Sequence, residues 1–281
     1  MRNGNRKCFV LGITTFIISA SCLGQGIYAG INGGYGFPSG RMILPSDQKT
    51  TYSGSSSSTL YTSNKYSLGK GIDFGAYGGY MFNKHWGAEL EIGYLIGGTS
   101  TSTNEDDSPT IPSTTTETRK GNILRFTPAL RYQIGENKLK TYITAGIIIG
   151  MASGTDEIKD ISGPNTGDNI WTYSGGPTIG FHGAIGLMYF LSNKLGISAE
   201  LTGNYQNWSP DKEVLTTSTL NGVDNLSKMP LSQKETDYQA SYTKDPFNPT
   251  PATSPSISDR IYLPFSSLGL NIGVHIFFGG K

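Results

Sequence analysis

The chain has 281 residues, a formal net charge of +1 and 15% charged residues, with 38 glycines and 16 tyrosines. That length allows one large β domain or two small ones. The composition excludes a disordered chain and argues against a helical enzyme, and the near-zero charge offers no basic surface for nucleic acid.

The first element is a targeting segment. Arg2, Arg6 and Lys7 precede an apolar run from Phe9 to about Ala20, and small residues follow. This is the layout of a cleaved secretory signal over 1–24, with the cut after Gly24. Cleavage would remove three positive charges, taking the charge to −2, together with both cysteines, Cys8 and Cys22. A second reading makes Cys22 the acylated cysteine of a lipoprotein. Against it, Ser19 stands where that motif has Leu. No later apolar run reaches the 18 residues of a spanning helix.

Eight alternating segments follow. "GIYAGINGGYGF" (26–37) places Ile27, Ile31, Tyr35 and Phe37 on one face. "GIDFGAYGGYMF" (71–82) does so with Ile72, Phe74 and Phe82, and "WGAELEIGYLI" (86–96) with Leu90, Ile92 and Tyr94. "NILRFTPALRYQI" (122–134) alternates Leu124, Phe126, Leu130 and Tyr132 with Arg125, Thr127 and Arg131. "LKTYITAGIIIG" (139–150) shows Ile143, Ile147 and Ile149, and "GFHGAIGLMYF" (180–190) Phe181, Ile185, Leu187 and Tyr189. "LGISAELTGNY" (195–205) and "GLNIGVHIFF" (269–278) complete the set. A period of two defines a strand with two unlike faces, and about ten to twelve residues is the length that crosses a bilayer when tilted. Pro128 cannot donate a ladder bond, so a local bulge or kink is expected there.

The connections carry the argument further. "NKHW", "GENK" and "LSNK" are tight turns, whereas the intervening connections, about 38–70, 97–121, 151–178 and 206–262, are long. Short and long alternate, so all short turns lie at one end. Aromatic residues sort by height. Phe82, Trp86, Tyr132, Tyr189 and Phe278 lie near the short turns; Tyr35, Phe37, Phe74, Tyr94, Phe181, Tyr205 and Trp208 lie near the long loops. Two membrane interfaces select such belts. The last strand is expected to close on the first. "NKHWGAELE" and "NKLGISAEL" echo one another, which equivalent hairpins explain better than duplication.

On these segments, above all "GIYAGINGGYGF", "RFTPALRY" and "GLNIGVHIFF", the chain resembles the small outer-membrane β-barrel proteins of the OmpA/OmpX-like superfamily. The resemblance covers the whole chain from residue 25. It implies an all-β, eight-stranded antiparallel up-and-down transmembrane barrel over 25–281, with periplasmic turns and extracellular loops. It implies the cell outer membrane as location, and outer-membrane lipid and lipopolysaccharide as surroundings. Function follows weakly from fold.

No catalytic constellation stands out. His85 lies in a short turn and His182 and His275 in the polar phase, without a His-x-Ser pattern. No metal spacing or cofactor loop is present, so no cofactor is expected. "NEDDS" (104–108) reads as a solvated loop face before it reads as a calcium site. The candidate site is a lumen charge network of Asp73, Glu89, Glu91, Arg125, Arg131 and Glu200. In so narrow a lumen these charges must pair, and Glu91 with Arg131 is the expected pair. The Ser/Thr-rich loops are expected to be hydrated and mobile and to carry any surface partner, with a small hairpin at Asn221 and Gly222. The leading reading is a non-enzymatic barrel anchoring surface loops. A small porin-like channel or hydrophobic-molecule route comes second, and a soluble lipocalin-like binder third.

Overall fold

The computed structural model describes residues 26–39, 42–43, 47–63, 65–136, 138–243 and 250–278. The expected signal segment and both cysteines lie outside them. Each alternating segment falls within one strand, save Phe82, which begins the turn after the second: β1 (Gly26–Pro38), β2 (Gly71–Met81), β3 (Trp86–Gly97), β4 (Ser113–Ile134), β5 (Leu139–Ser162), β6 (Pro177–Phe190), β7 (Leu195–Trp208) and β8 (Ser267–Phe278). Each strand pairs antiparallel with the next, and β8 pairs with β1 from Ile27↔Phe278 to Pro38↔Ser267, closing a ring.

The pleat sorts the ring into two surfaces. Ile31, Leu90, Ile147, Ile185, Leu201 and Ile272 are exposed outward, as are the aromatics expected in belts, with one exception. Trp208 was expected in the belt at the long-loop end, yet it is 0% exposed. It stands one phase off the outward Tyr205, so its ring turns inward, where its Nε1 donates to the Gly175 carbonyl at 2.8 Å.

Glycines and tyrosines complement one another inside the ring. Tyr28 pairs with Gly79, Tyr77 with Gly30, and Tyr142 with Gly186. A Cβ on Gly79 would stand 2.3 Å from the Tyr28 ring, and one on Gly30 equally close to the Tyr77 hydroxyl. Each ring lies flat over the gap that its glycine leaves, which is how a narrow barrel takes tyrosines in its interior.

Pro128 does not make a bulge. Pairing of β4 with β5 lapses between Gly146↔Ala129 and Ile149↔Phe126 and resumes in the same register. The missing N–H removes a ladder bond without shifting the strands.

The largest departure from expectation is at the long-loop end. The loops expected to be hydrated and mobile are built into a sheet that continues the barrel wall, here called the crown. β4 and β5 run past the ring as far as Ser113↔Ser162, and Ser100–Asp106 pairs with β4. Asn165–Ser174 joins β5, followed by Lys212–Leu220, Glu235–Gln239 and Ser256–Asp259. On the other side, Asp47–Ser53 pairs with Ser100–Asp106 and with Ser56–Thr62. Threonine suits strands, but with both faces mostly polar these segments leave little apolar alternation to read. Tight turns fix the register. Asn221 and Gly222 both have positive φ, the two-residue hairpin expected there, and Gly163 takes φ 55 between Ser162 and Asn165. The stretch 104–108 starts in this sheet, with Glu105 turned outward to Lys49 and Asp106 turned inward. Their carboxylates therefore face opposite sides and do not form one cation cage.

Candidate functional site in the barrel interior

The interior is built in layers. At the short-turn end Tyr28, Tyr77 and Met81 are buried together, with Phe277 against them and Phe190 tilted against Phe277 at 5.1 Å. At the long-loop end Tyr66, Leu68, Leu95, Ile123, Trp208, Leu263 and Phe265 form a second apolar cluster. Tyr66, Leu68, Leu263 and Phe265 come from the connections before β2 and β8, which fold down into the ring. Ser67 fixes this inward fold by donating to the Ser266 carbonyl at 2.6 Å.

Between the clusters lies the charge network, and it contains all six expected residues. Arg125 pairs with Asp73 across β3, where Gly93 offers no side chain to block the guanidinium. Arg131 Nη1 donates to Glu89 Oε2 at 3.0 Å. The expected Glu91–Arg131 pair is not formed. Arg131 lies opposite Gly87, which makes Glu89 its diagonal neighbour and leaves Glu91 opposite Thr127. Equal height above the turn was a poor guide because stagger displaces neighbouring strands. Glu91 instead accepts from Asn32 Nδ2 at 2.9 Å, and Glu200 accepts from the Tyr142 hydroxyl. Two carboxylates thus sit on arginines and two on neutral donors. Arg131 is further held between two rings, 3.8 Å from the Tyr142 centroid and 5.3 Å from that of Tyr28. Tyr28 also donates to Glu89 at 2.8 Å.

The sequence reading missed Asn32, Tyr28 and Tyr142 as partners. Their inward phase was the available signal. It also missed His275 and Ser198, which are 77 positions apart and meet at 2.9 Å. His275 Nδ1 has no hydrogen-bond partner, and the ring lies fully buried beside Tyr77 and Phe277. A nucleophilic serine would need an acid on that nitrogen and an open approach for substrate. His182 meets Asn204 Oδ1 at 2.8 Å. Among the described residues no group of three or more His, Cys, Asp or Glu could hold a metal ion.

In the crown, Arg119 pairs with Asp156 and Glu117 and lies over the Tyr66 ring at 5.8 Å. Burial pushes the Asp156 carboxyl above the ordinary carboxylate range, and the Arg119 guanidinium pulls it back. Burial, with the Glu213 carboxylate, raises the Tyr173 hydroxyl.

A closed ring with an apolar outer band and a polar, filled interior is how a β-barrel is built for lipid. The family profile described as "Outer membrane protein beta-barrel domain" matches residues 25–221, and the chain belongs to that family, whose place is the outer membrane. Two solved structures are similar. The N-terminal β-barrel domain of Pseudomonas aeruginosa OprF is 13% identical, with 91% of this chain and 99% of that one covered and a TM-score of 0.32. The outer membrane protein OprG from Pseudomonas aeruginosa is 12% identical, with 92% and 98% covered and a TM-score of 0.43. No curated protein matches the chain.

Proposed function

We propose that this protein is a non-enzymatic, eight-stranded antiparallel up-and-down barrel that anchors a surface crown in the outer membrane. It is delivered by a signal peptide over 1–24, and residues 25–281 form the barrel domain. The short turns face the periplasm, and the crown stands outside among lipopolysaccharide and surface partners. The observation that carries this reading is the contrast between the two regions. The lumen is filled by apolar clusters at both ends, while the long connections are organised into a paired sheet beyond the apolar band.

Cysteine labelling tests the orientation. Thr116→Cys lies on the outer face of the crown and Lys84→Cys in a short turn. A membrane-impermeant maleimide added to intact cells should label the first and spare the second, and the opposite pattern would overturn the orientation. In planar bilayers the refolded protein should show no steady conductance. Regular single-channel steps would favour a small porin-like channel.

A further inference from the structure

The crown is an open sheet, and its two edges are built differently. One edge is Ser256–Asp259, a four-residue strand held parallel to Glu235–Gln239. Pro255 precedes it and Asp259 ends it. Shortness, proline and charge are devices that keep an edge from pairing with another chain. The other edge is Ser56–Thr62, with the sequence SSSTLYT. It has no charge, no proline and no bulge against Asp47–Ser53, and every residue of it is exposed. Among the described residues no strand pairs with its open side. Leu60 and Tyr61, on opposite faces and beyond the apolar band, are 67% and 64% exposed.

The hairpin fixes which backbone groups are free. Gly54 has φ 61 in a two-residue turn, and Ser53 and Ser56 close it as a bonded pair. Alternation along the ladder makes Thr51↔Ser58 and Lys49↔Leu60 the next bonded pairs. Ser57, Thr59 and Tyr61 therefore turn their N–H and C=O groups to the open side. The segment is also complementary to itself. Laid antiparallel on a second copy about Leu60, it sets Leu60 against Leu60 and each Tyr61 against a Thr59. Thr59 and Tyr61 then form the bonded pairs, in phase with their free groups. Aromatic side chains opposite β-branched ones stabilise such pairs, and no like charges meet.

We propose that Ser58–Thr62 pairs antiparallel with the same strand of a second copy of this protein. Such pairing rests on the crown standing outside the membrane, as proposed above. Asp47–Ser53 runs parallel to Ser100–Asp106, which leads away from the ring, so Ser56–Thr62 returns toward it. Two copies joined antiparallel on this strand point their barrels in opposite directions, and their membranes face one another. Each contact is small, and many contacts between two membranes reinforce one another.

Residues 25–281 contain no cysteine, so Leu60→Cys gives the refolded protein a single thiol. In detergent micelles, where orientation in a cell plays no part, mild oxidation should join it into a disulfide-linked dimer. Ser58→Cys, on the same strand, and Lys49→Cys, one strand inward, should link about tenfold more slowly, because a disulfide needs Cα atoms within about 7 Å. Adding Thr59→Pro or Thr59→Lys to Leu60→Cys should slow linking by a similar factor. The proline removes a free N–H, and lysine blocks edges. If the proline prevents folding, Thr59→Lys decides the matter. Preformed vesicles carrying the protein with crowns outward should cluster, and those carrying Thr59→Lys should not. Equal linking at all three cysteine positions would mean random collision and would overturn the pairing. So would linking that Thr59→Lys leaves unchanged. Dimers in micelles without clustering of vesicles would overturn the facing-membrane arrangement. An inverted orientation shows itself separately, in the maleimide labelling of intact cells.

Discussion

Gly78 and Gly79 are neighbours in the chain and face opposite sides of one strand, so the same substitution has opposite consequences. A Cβ on Gly79 meets the Tyr28 ring at 2.3 Å; one on Gly78 finds only the Tyr28 carbonyl oxygen at 3.9 Å. Gly79→Ala should cost about 1–3 kcal/mol, because Tyr28 must move and it holds Glu89. Gly78→Ala should be neutral or stabilise by up to about 1 kcal/mol. Refolding free energies in lipid vesicles check this; equal effects would mean the rings are free to shift. The lumen ion pair is open to the same measurement. Truncating Glu89 leaves buried Arg131 without its carboxylate, a loss of roughly 3–5 kcal/mol. A double-mutant cycle should show coupling for Glu89 with Arg131 and near-additivity for Glu91 with Arg131.

Whole strands gain or lose protection according to how many neighbours they have. Asn165–Ser174 is paired on both sides, by β5 and by Lys212–Leu220. Ser56–Thr62 is paired with Asp47–Ser53, lies at the sheet edge and is exposed along its length. Hydrogen exchange read by mass spectrometry should therefore be slow over Asn165–Ser174 and fast over Ser56–Thr62. Uniformly fast exchange through the crown would restore the expectation of mobile loops. In the ring, Ile147 is exposed outward on the apolar band. Ile147→Arg should cost about 2–4 kcal/mol in vesicles, against little for an Arg at an exposed crown position such as Thr101.

At the scale of the whole molecule, the two apolar clusters stand apart with the polar network between them. Met81 and Leu95 mark their separation: Met81 lies opposite Gly87, and Leu95 is eight residues further along β3, about 26 Å. Groups so distant share no partner, so their truncations should add within about 0.5 kcal/mol. Trp208→Ala and Tyr28→Ala should each cost roughly 3–5 kcal/mol, and the double variant should reach their sum. A shortfall would show that the layers between them act as one unit.

The sequence by itself determined the eight barrel segments, their lipid-facing residues and which side chains enter the lumen. All of these follow from a period of two, which a single strand displays whatever its neighbours are. It also placed the hairpin at Asn221 and Gly222, because that turn is chosen by two adjacent residues. What it could not decide depends on stagger between strands. Arg131 lies nearer Glu89 than Glu91 because of register, and Arg125 reaches Asp73 because Gly93 lies between them. The crown stayed hidden for a different reason. Its strands are mostly polar on both faces and have no sustained apolar rhythm, so only pairing with strands far away in sequence makes them a sheet. Trp208, Leu68 and Phe265 turned inward for the same cause. A side chain at a strand's end or in a connection takes its direction from the elements packed around it, and those are brought together only by the closed ring.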